Sequence, residues 1–576
     1  MFVVGPIFAR EALTAPRQVQ HFAVRAGYVA ALFVLMYTLG QVTFGWQQER
    51  HLGDLARFGA ICFQVFTLLQ LILVVFFSLL FAAGNIAQEK DRKTLILLLM
   101  TDLRNRELVL GKLTASLLIV GVLLAVSLPA FALTSLLGGV EIQQIGWSLA
   151  VTGAAALAAG SWGTLIAFWR EKTFQTLAYS VLGLVLFVGL IEALRAVVGP
   201  TSFAGEWLSL ANPLRGLLLV IDPLATTSLS GGVASHPLSY VLAMLGLAAG
   251  LSAFTIARLR VWNPSDQRSQ PTAPEGVSEE RRKAYTRKVW HNPIIWREIC
   301  TSAYGRKVFV IKLAYLVAFL AAAWFATQVP SSELVLGMIS PSGFAFVGVA
   351  LLSLMLINAQ AVTSFTTERD AKTLELLLVT DITAKEFIYG KLGGIFWNTK
   401  EVILLPLLLV VSFLVQGTLT AEDFIYVTLG FLVLVVFSAM LGLHGGISFD
   451  SSRSAIANSL GTMFFLFLGI FICMMLILEA RSSFWLQLPS FLVFILGGAI
   501  GLSASLTHKN PSPALTMSAF ILPFFTFYVI TGYLLHETLG VWLVLTATYG
   551  FTTLAMLIPA VSEFDVALGR TTGDRG

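Results

Sequence analysis

The chain has 576 residues, of which 57% are hydrophobic and only 12% charged, and its mean hydropathy is +0.82. Soluble globular proteins carry about 25% charged residues, so a soluble fold is excluded. The apolar runs are read as membrane-spanning helices, because lipid offers the backbone no other partner, and the net charge of +5 is met by charge sorting across the membrane without a nucleic acid.

The chain opens MFVVGPIFAREALTAPRQ. It lacks a basic region followed by an apolar one, so no cleavable signal peptide is expected. About 20 apolar residues cross a bilayer. On that rule the first half holds spans at 27–46, 60–84, 108–136, 147–169, 176–198 and 238–259. The stretch 200–237, with Pro200, Pro213, Pro223 and Gly231-Gly232, is predicted to be an external loop with short helices. Residues 260–290 form the one long hydrophilic run, rich in Pro, Ser, Glu and Arg, as in a cytoplasmic linker.

The second half restarts as the first does. Asn292-Pro293-Ile294-Ile295-Trp296-Arg297-Glu298 echoes Gly5-Pro6-Ile7-Phe8-Ala9-Arg10-Glu11. Asn292 suits a helix N-cap and Pro293 the first helical position. Each stretch is predicted to be a short interfacial helix. Spans follow at 308–329, 342–364, 393–416, 424–447, 455–478, 484–506, 513–535 and 539–560. The prediction is therefore an all-α polytopic protein of 14 spans, six and then eight.

Lys and Arg set the orientation. With the N-terminus inside, only Arg50, Arg57, Arg195, Arg215 and Arg481 of the 37 Lys and Arg fall outside. Both termini are then cytoplasmic, and the two halves have the same orientation. This predicts a parallel repeat about an axis along the membrane normal. Residues 1–259 form one unit and 291–512 the other, with 513–576 an added hairpin and tail. Trp169–Thr173 and Ser448–Arg453 match as inner connections between the fourth and fifth spans.

One segment occurs twice without a gap. EKDRKTLILLLMTDLRNRELVLGKL starts at Glu89, and ERDAKTLELLLVTDITAKEFIYGKL starts at Glu368. Charges come first: Glu89, Lys90, Asp91, Arg92 and Lys93, then Glu368, Arg369, Asp370 and Lys372. A short apolar run, a Thr-Asp break and a new helix start follow. Thr383 and Glu386 fit a capping box. The predicted form is a cytoplasmic helix whose apolar side holds the membrane domain and whose charges face a soluble partner.

This pattern after the second span, with the Asn-Pro-x-x-Trp-Arg-Glu stretch before the first, resembles the permease of ABC-2 type ATP-binding-cassette transporters. The second copy fits it more closely, since Ile96 stands where the other has Glu375. The resemblance implies that Glu89–Leu99 and Glu368–Leu378 are coupling helices. Each would dock a separate nucleotide-binding subunit, giving two ATPase subunits per chain. It implies an exporter in a bacterial inner (cytoplasmic) membrane, with ATP and Mg held by the partner and no cofactor bound by this chain. Replacing Glu368, Arg369 and Asp370 with their first-copy equivalents by alanine is expected to release the ATPase while the bundle stays folded.

There is no phosphate loop. Gly111-Lys112-Leu113 and Gly390-Lys391-Leu392 lack the upstream glycine and the hydroxyl residue. No catalytic or metal constellation is visible, and Cys62, Cys300 and Cys473 lie in unrelated contexts. The chain is thus read as a transport subunit, not an enzyme. Gln64, Gln70, Asn358, Gln360 and His444 are candidates for a pathway, against interhelical bonding as their alternative. Glu192 and Arg195 are spaced for an i,i+3 pair, and Lys400 and Glu401 lie within the ninth span. Two other classes stay open. An ion-coupled secondary transporter would need matched acidic groups at mid-span. A membrane-embedded enzyme would need clustered His, Asp or Glu.

Overall fold

The computed structural model describes residues 8–9, 19–44, 52–199, 202–221, 233–263, 290, 292–300, 308–328, 340–378, 382–480, 484–508, 512–534 and 538–562. All extended regular structure in them is helical. Ten of these helices are long and apolar enough to cross a membrane. They are α1 (Val19–Phe44), α2 (Leu52–Asp91), α4 (Asn105–Leu136), α5 (Ile142–Trp169), α6 (Thr173–Val198), α9 (Pro237–Trp262), α11 (Val308–Gln328), α12 (Pro341–Asp370), α16 (Ala421–Ser448) and α20 (Leu539–Ser562). The chain is an integral membrane protein. An eleventh span results if α14 (Ala384–Asn398) and α15 (Lys400–Val415), bent by 56°, are one broken helix. The predicted spans 455–478, 484–506 and 513–535 fall in α17 (Ser452–Ala480), α18 (Phe484–Leu506) and α19 (Pro513–Leu534), outside those ten.

Short helices complete the chain. α3 (Thr94–Leu99) and α13 (Thr373–Leu378) follow α2 and α12. α7 (Phe203–Leu210) and α8 (Pro213–Ile221) lie in the stretch predicted to be an external loop, and α10 (Pro293–Cys300) follows the linker. The linker and the stretch 5–7 lie outside the described residues.

Local chemistry explains the helix starts. Ser340 Oγ accepts from Gly343 N at 3.1 Å, with Pro341 next to it at the first helical position. Asn292 Oδ1 accepts from the amides of Ile294 and Ile295 at 2.9 and 3.1 Å, so α10 is capped as its sequence predicts. Pro406 inside α15 leaves the Val402 carbonyl without its helical donor. The Tyr315 hydroxyl from α11 fills that vacancy at 3.3 Å.

α2 has 40 residues, about 60 Å at 1.5 Å per residue. That is roughly twice the hydrocarbon thickness, so the helix is longer than the layer it crosses. Close helix crossings fix the packing. A Cβ on Gly163 of α5 would lie 2.7 Å from the Leu79 carbonyl of α2, and one on Gly442 of α16 would lie 2.6 Å from the Asn358 carbonyl of α12. Only glycine lets these backbones touch.

One apolar cluster joins the halves. Phe76 and Leu80 of α2, Leu177 of α6, Val349 and Leu356 of α12 and Phe464 of α17 belong to it. The Phe76 and Phe464 rings stack with centroids 4.4 Å apart. α9 packs against α5 and α4, and α20 packs against α16 and α14 in the same way. α18 lies instead against α1 and α19.

Of the two short helices in the stretch predicted to be an external loop, α7 keeps Phe203 and Trp207 exposed, while α8 is packed into the bundle. Leu217 of α8 is fully buried in a cluster with Leu71 of α2 and Ala155 of α5. Glu192 corrects the expected i,i+3 pairing. Its carboxylate accepts from Arg215 Nη2 at 2.6 Å and from Asn212 Nδ2 at 2.7 Å. The folded-back α8 brings a cation closer than the next helical turn does.

Candidate functional site

The duplicated segment folds twice into the same device at the end of the bundle assigned to the cytoplasm. α2 and α12 each end in Asp, and two residues later the chain turns at Lys93 and Lys372. Their φ values are 58° and 57°, the only positive ones outside glycine among the described residues. A left-handed lysine costs about 1–2 kcal/mol, so the surroundings must hold it. The Lys93 amide donates to Lys90 O, and the Lys372 amide to Arg369 O, both at 3.0 Å. Thr94 and Thr373 hydroxyls donate back to the Glu89 and Glu368 carbonyls at 3.2 and 3.1 Å.

Contrary to the expectation that all these charges present a surface to a partner, Glu89, Lys90, Asp91, Glu368, Arg369 and Asp370 are bonded to neighbouring elements, while Arg92, Lys93 and Lys372 are exposed. Glu89 pairs with Lys112 of α4. Glu368 pairs with Lys391 of α14 at 2.8 Å and with Arg297 of α10. Lys90 donates to the carbonyls of Phe168 and Arg170 at 2.5 and 2.9 Å. Arg369 donates to those of Gly446, at 3.0 Å, and Phe449. Thr173 donates to the Asp91 carboxylate and Ser452 to that of Asp370. The matched connections Trp169–Thr173 and Ser448–Arg453 are the receptors for these anchors. Alanine at Glu368, Arg369 and Asp370 would therefore strip the segment of its attachments, not merely of a docking surface.

In the second copy the ionic group is larger, because Arg297 and Glu298 of α10 join it. Lys391 is 1% exposed and also donates to Glu298 of α10 at 2.8 Å. A buried ammonium needs such compensation. Burial lowers the pKa of Lys172, which lies in the inner connection of the first half. Glu298, Glu171 and Asp91 oppose that shift, so the second half's interfacial helix and the first half's connection share one field.

What remains outward is short and partly apolar. Leu95 and Leu99 of α3 are buried among Ile86, Leu108 and Phe168. Ile96, Leu97 and Met100 are exposed, Leu97 by 65%. On α13, Leu374 is buried and Leu376 is 71% exposed. Lys93 and Lys372 are exposed beside them. The Glu375 side chain and the Thr380-Asp381 break lie outside the described residues. The predicted capping box is present: Thr383 Oγ1 accepts from Glu386 N at 3.2 Å, and Glu386 Oε2 from Thr383 N at 3.0 Å.

The pathway candidates do not form one site. Asn358 Nδ2 donates to Ser438 O at 3.0 Å and its Oδ1 accepts from Ser459 at 2.9 Å, tying α12 to α16 and α17. His444 Nε2 lies 2.9 Å from Leu506 O. Both serve interhelical bonding. Gln64 is exposed on α2. Gln70 and Gln360 are buried, and neither the Gln70 amide nor Gln360 Nε2 has a partner among the described residues. Glu401 pairs with Lys312 of α11 at 2.6 Å, and Lys400 lies 3.9 Å from the Trp397 ring.

Lys112, Lys391, Thr173, Ser452 and Glu298 were not singled out by their chemistry in the sequence. The lysines' signal was their identity in both copies. The hydroxyls' signal was their place in the matched connections. No protein-family model, no curated protein and no solved structure matches the chain.

Proposed function

We propose that the chain is the transmembrane permease subunit of an ABC-2 type exporter, with two permease units fused through residues 260–290. On this reading it has 14 spans in a bacterial inner membrane, with both termini cytoplasmic. Separate nucleotide-binding subunits dock on α3 and α13, and their hydrolysis of ATP drives a substrate across. The observation that carries the reading is the doubled hinge. A spanning helix leads through a strained lysine into a short helix, anchored by matching bonds in both halves. Strain of this kind persists where the surroundings over-determine it, as at switches. The short helix buries one side and leaves a small apolar tip outward, the shape of a part to be gripped. No phosphate loop occurs in the sequence, so the grip would belong to a partner that has one.

The docking contacts on this reading are Ile96, Leu97, Met100 and Leu376 with the flanking Lys93 and Lys372, while the neighbouring acids and bases hold the helices in place. On this reading the packing of α20 against α16, as α9 packs against α5, supports α20 as the sixth span of the second unit, although α20 also packs on α19. That assignment would make α18 and α19 the extra pair, where the sequence alone suggests 513–560.

An ion-coupled transporter draws support from the broken span α14–α15 beside the Lys312–Glu401 pair, because transporters of that class bind ions at broken helices. The matching helix α4 is continuous, and the class breaks helices in both halves. The fused permease is the better account. Photo-crosslinkers at Leu97 and Leu376 test it. Labelling of a Walker-motif ATPase from both positions is expected. Labelling of lipid alone at both would refute docking.

A further inference from the structure

The two anchored segments meet each other through one side chain. Arg92, the residue after α2, directs Nε and Nη2 to Oδ1 of Asp370, the last residue of α12, both at 3.2 Å. The Asp370 side chain is 3% exposed and that of Arg92 is 46% exposed. Ser452 occupies the other Asp370 oxygen. The pair therefore joins the ends of two long helices immediately before the left-handed lysines, where each short helix hinges.

The joint is one-sided. The residue matching Arg92 in the second copy is Ala371, so Asp91 receives no reciprocal guanidinium from that position. Asp91 instead takes the Thr173 hydroxyl and faces the charge of Asp370. Two carboxylates held near one another repel. A guanidinium whose Nε and Nη2 both reach Asp370 Oδ1 offsets part of that repulsion.

The geometry points to an ionic joint, Arg92 on Asp370, that makes α3 and α13 move as one body. Arg92 is a positioning residue in this role. Combined with the permease reading on which it rests, the joint makes two docked ATPase subunits sense each other, because displacing one docking helix displaces the other. Reciprocal coupling of this kind is what a shared mechanical element supplies.

The test uses the full chain in lipid nanodiscs, with its three cysteines replaced by serine and spin labels at Leu97→Cys and Leu376→Cys. Electron–electron distance measurement on the parent should give a single population. Arg92→Glu places a third carboxylate at the joint and should shift the distance outward or add a longer population. Arg92→Lys should restore the parent distance, and Arg92→Ala should fall between. Melting temperature and elution volume check that each variant is folded, and Arg92→Ala serves if Arg92→Glu is not. A distance distribution that Arg92→Glu and Arg92→Ala leave unchanged overturns the joint. No ATPase is needed for this measurement, so it fails or succeeds apart from the permease reading. In the ATPase-loaded complex, Arg92→Glu should keep the ATPase bound and bring a cooperative ATP response down to a Hill coefficient of about 1.

Discussion

The two hinge segments share a plan and differ in how firmly they are held. In the first, Lys112 neutralises Glu89 from a position 10% exposed. In the second, Lys391 is 1% exposed and meets both Glu368 and Glu298, with Arg297 closing the group. The first segment leads into α4, a continuous helix of 32 residues. The second leads into α14, which breaks at Thr399 and resumes at 56° as α15. A duplicated part thus keeps its backbone geometry while its charge environment diverges. The inner bonds define the device, and the surrounding bonds set how much force it takes to move it.

That contrast is open to measurement. The largest effect should come from Lys391→Met. It leaves Arg297 alone against two carboxylates in a buried site and should cost about 3–5 kcal/mol, as breaking a buried ion pair does. Lys112→Met leaves a single, more exposed Glu89 and should cost about 1–3 kcal/mol. Thermal unfolding in detergent checks both, and equal losses would erase the proposed difference in hold.

Next comes the outward face. Leu97→Glu with Leu376→Glu should leave unfolding unchanged and weaken ATPase binding by about 2 kcal/mol, roughly 30-fold, as loss of an interface hot spot does. Titration of the purified permease with the ATPase reads this, and weakening by only one of the two single variants would show that one copy alone docks.

Smaller effects test what the copies share. Thr173→Ala and Ser452→Ala each remove one hydrogen bond to a carboxylate and should cost about 1.5–3 kcal/mol, nearly equally. Lys93→Gly and Lys372→Gly relieve left-handed backbone and should stabilise by about 1 kcal/mol or less, again nearly equally. An unequal pair in either set would mean that the shared geometry hides unequal strain.

Much of this was legible in the residues. The duplicated segment, the Asn292 cap, the Thr383–Glu386 box and the inward apolar side of the short helix all follow from local spacing. What was not legible is depth. Glu89 and Lys112 are distant in sequence, and only the return of α4 beside α2 brings them together. Glu89 therefore reads as part of a surface but is held by a neighbouring helix. The same reason hid the partner of Glu192. Helical spacing offers Arg195, while Arg215 arrives through α8 folding back into the bundle. Nor does chain order reveal that α20, after α18 and α19, takes beside α16 the place that α9 takes beside α5. The break at Thr399 has no glycine or proline at its site, since Pro406 lies further along and its freed carbonyl is met by Tyr315.

The central claim is that force reaches this membrane protein through two docking helices. Native mass spectrometry of the complex purified from its own membrane tests it most directly. The account predicts two Walker-motif ATPase subunits bound to one chain, both lost in the Leu97→Glu, Leu376→Glu variant while the chain stays folded. A chain that purifies without an ATPase, and whose transport collapses when the ion gradient is dissipated, would contradict it.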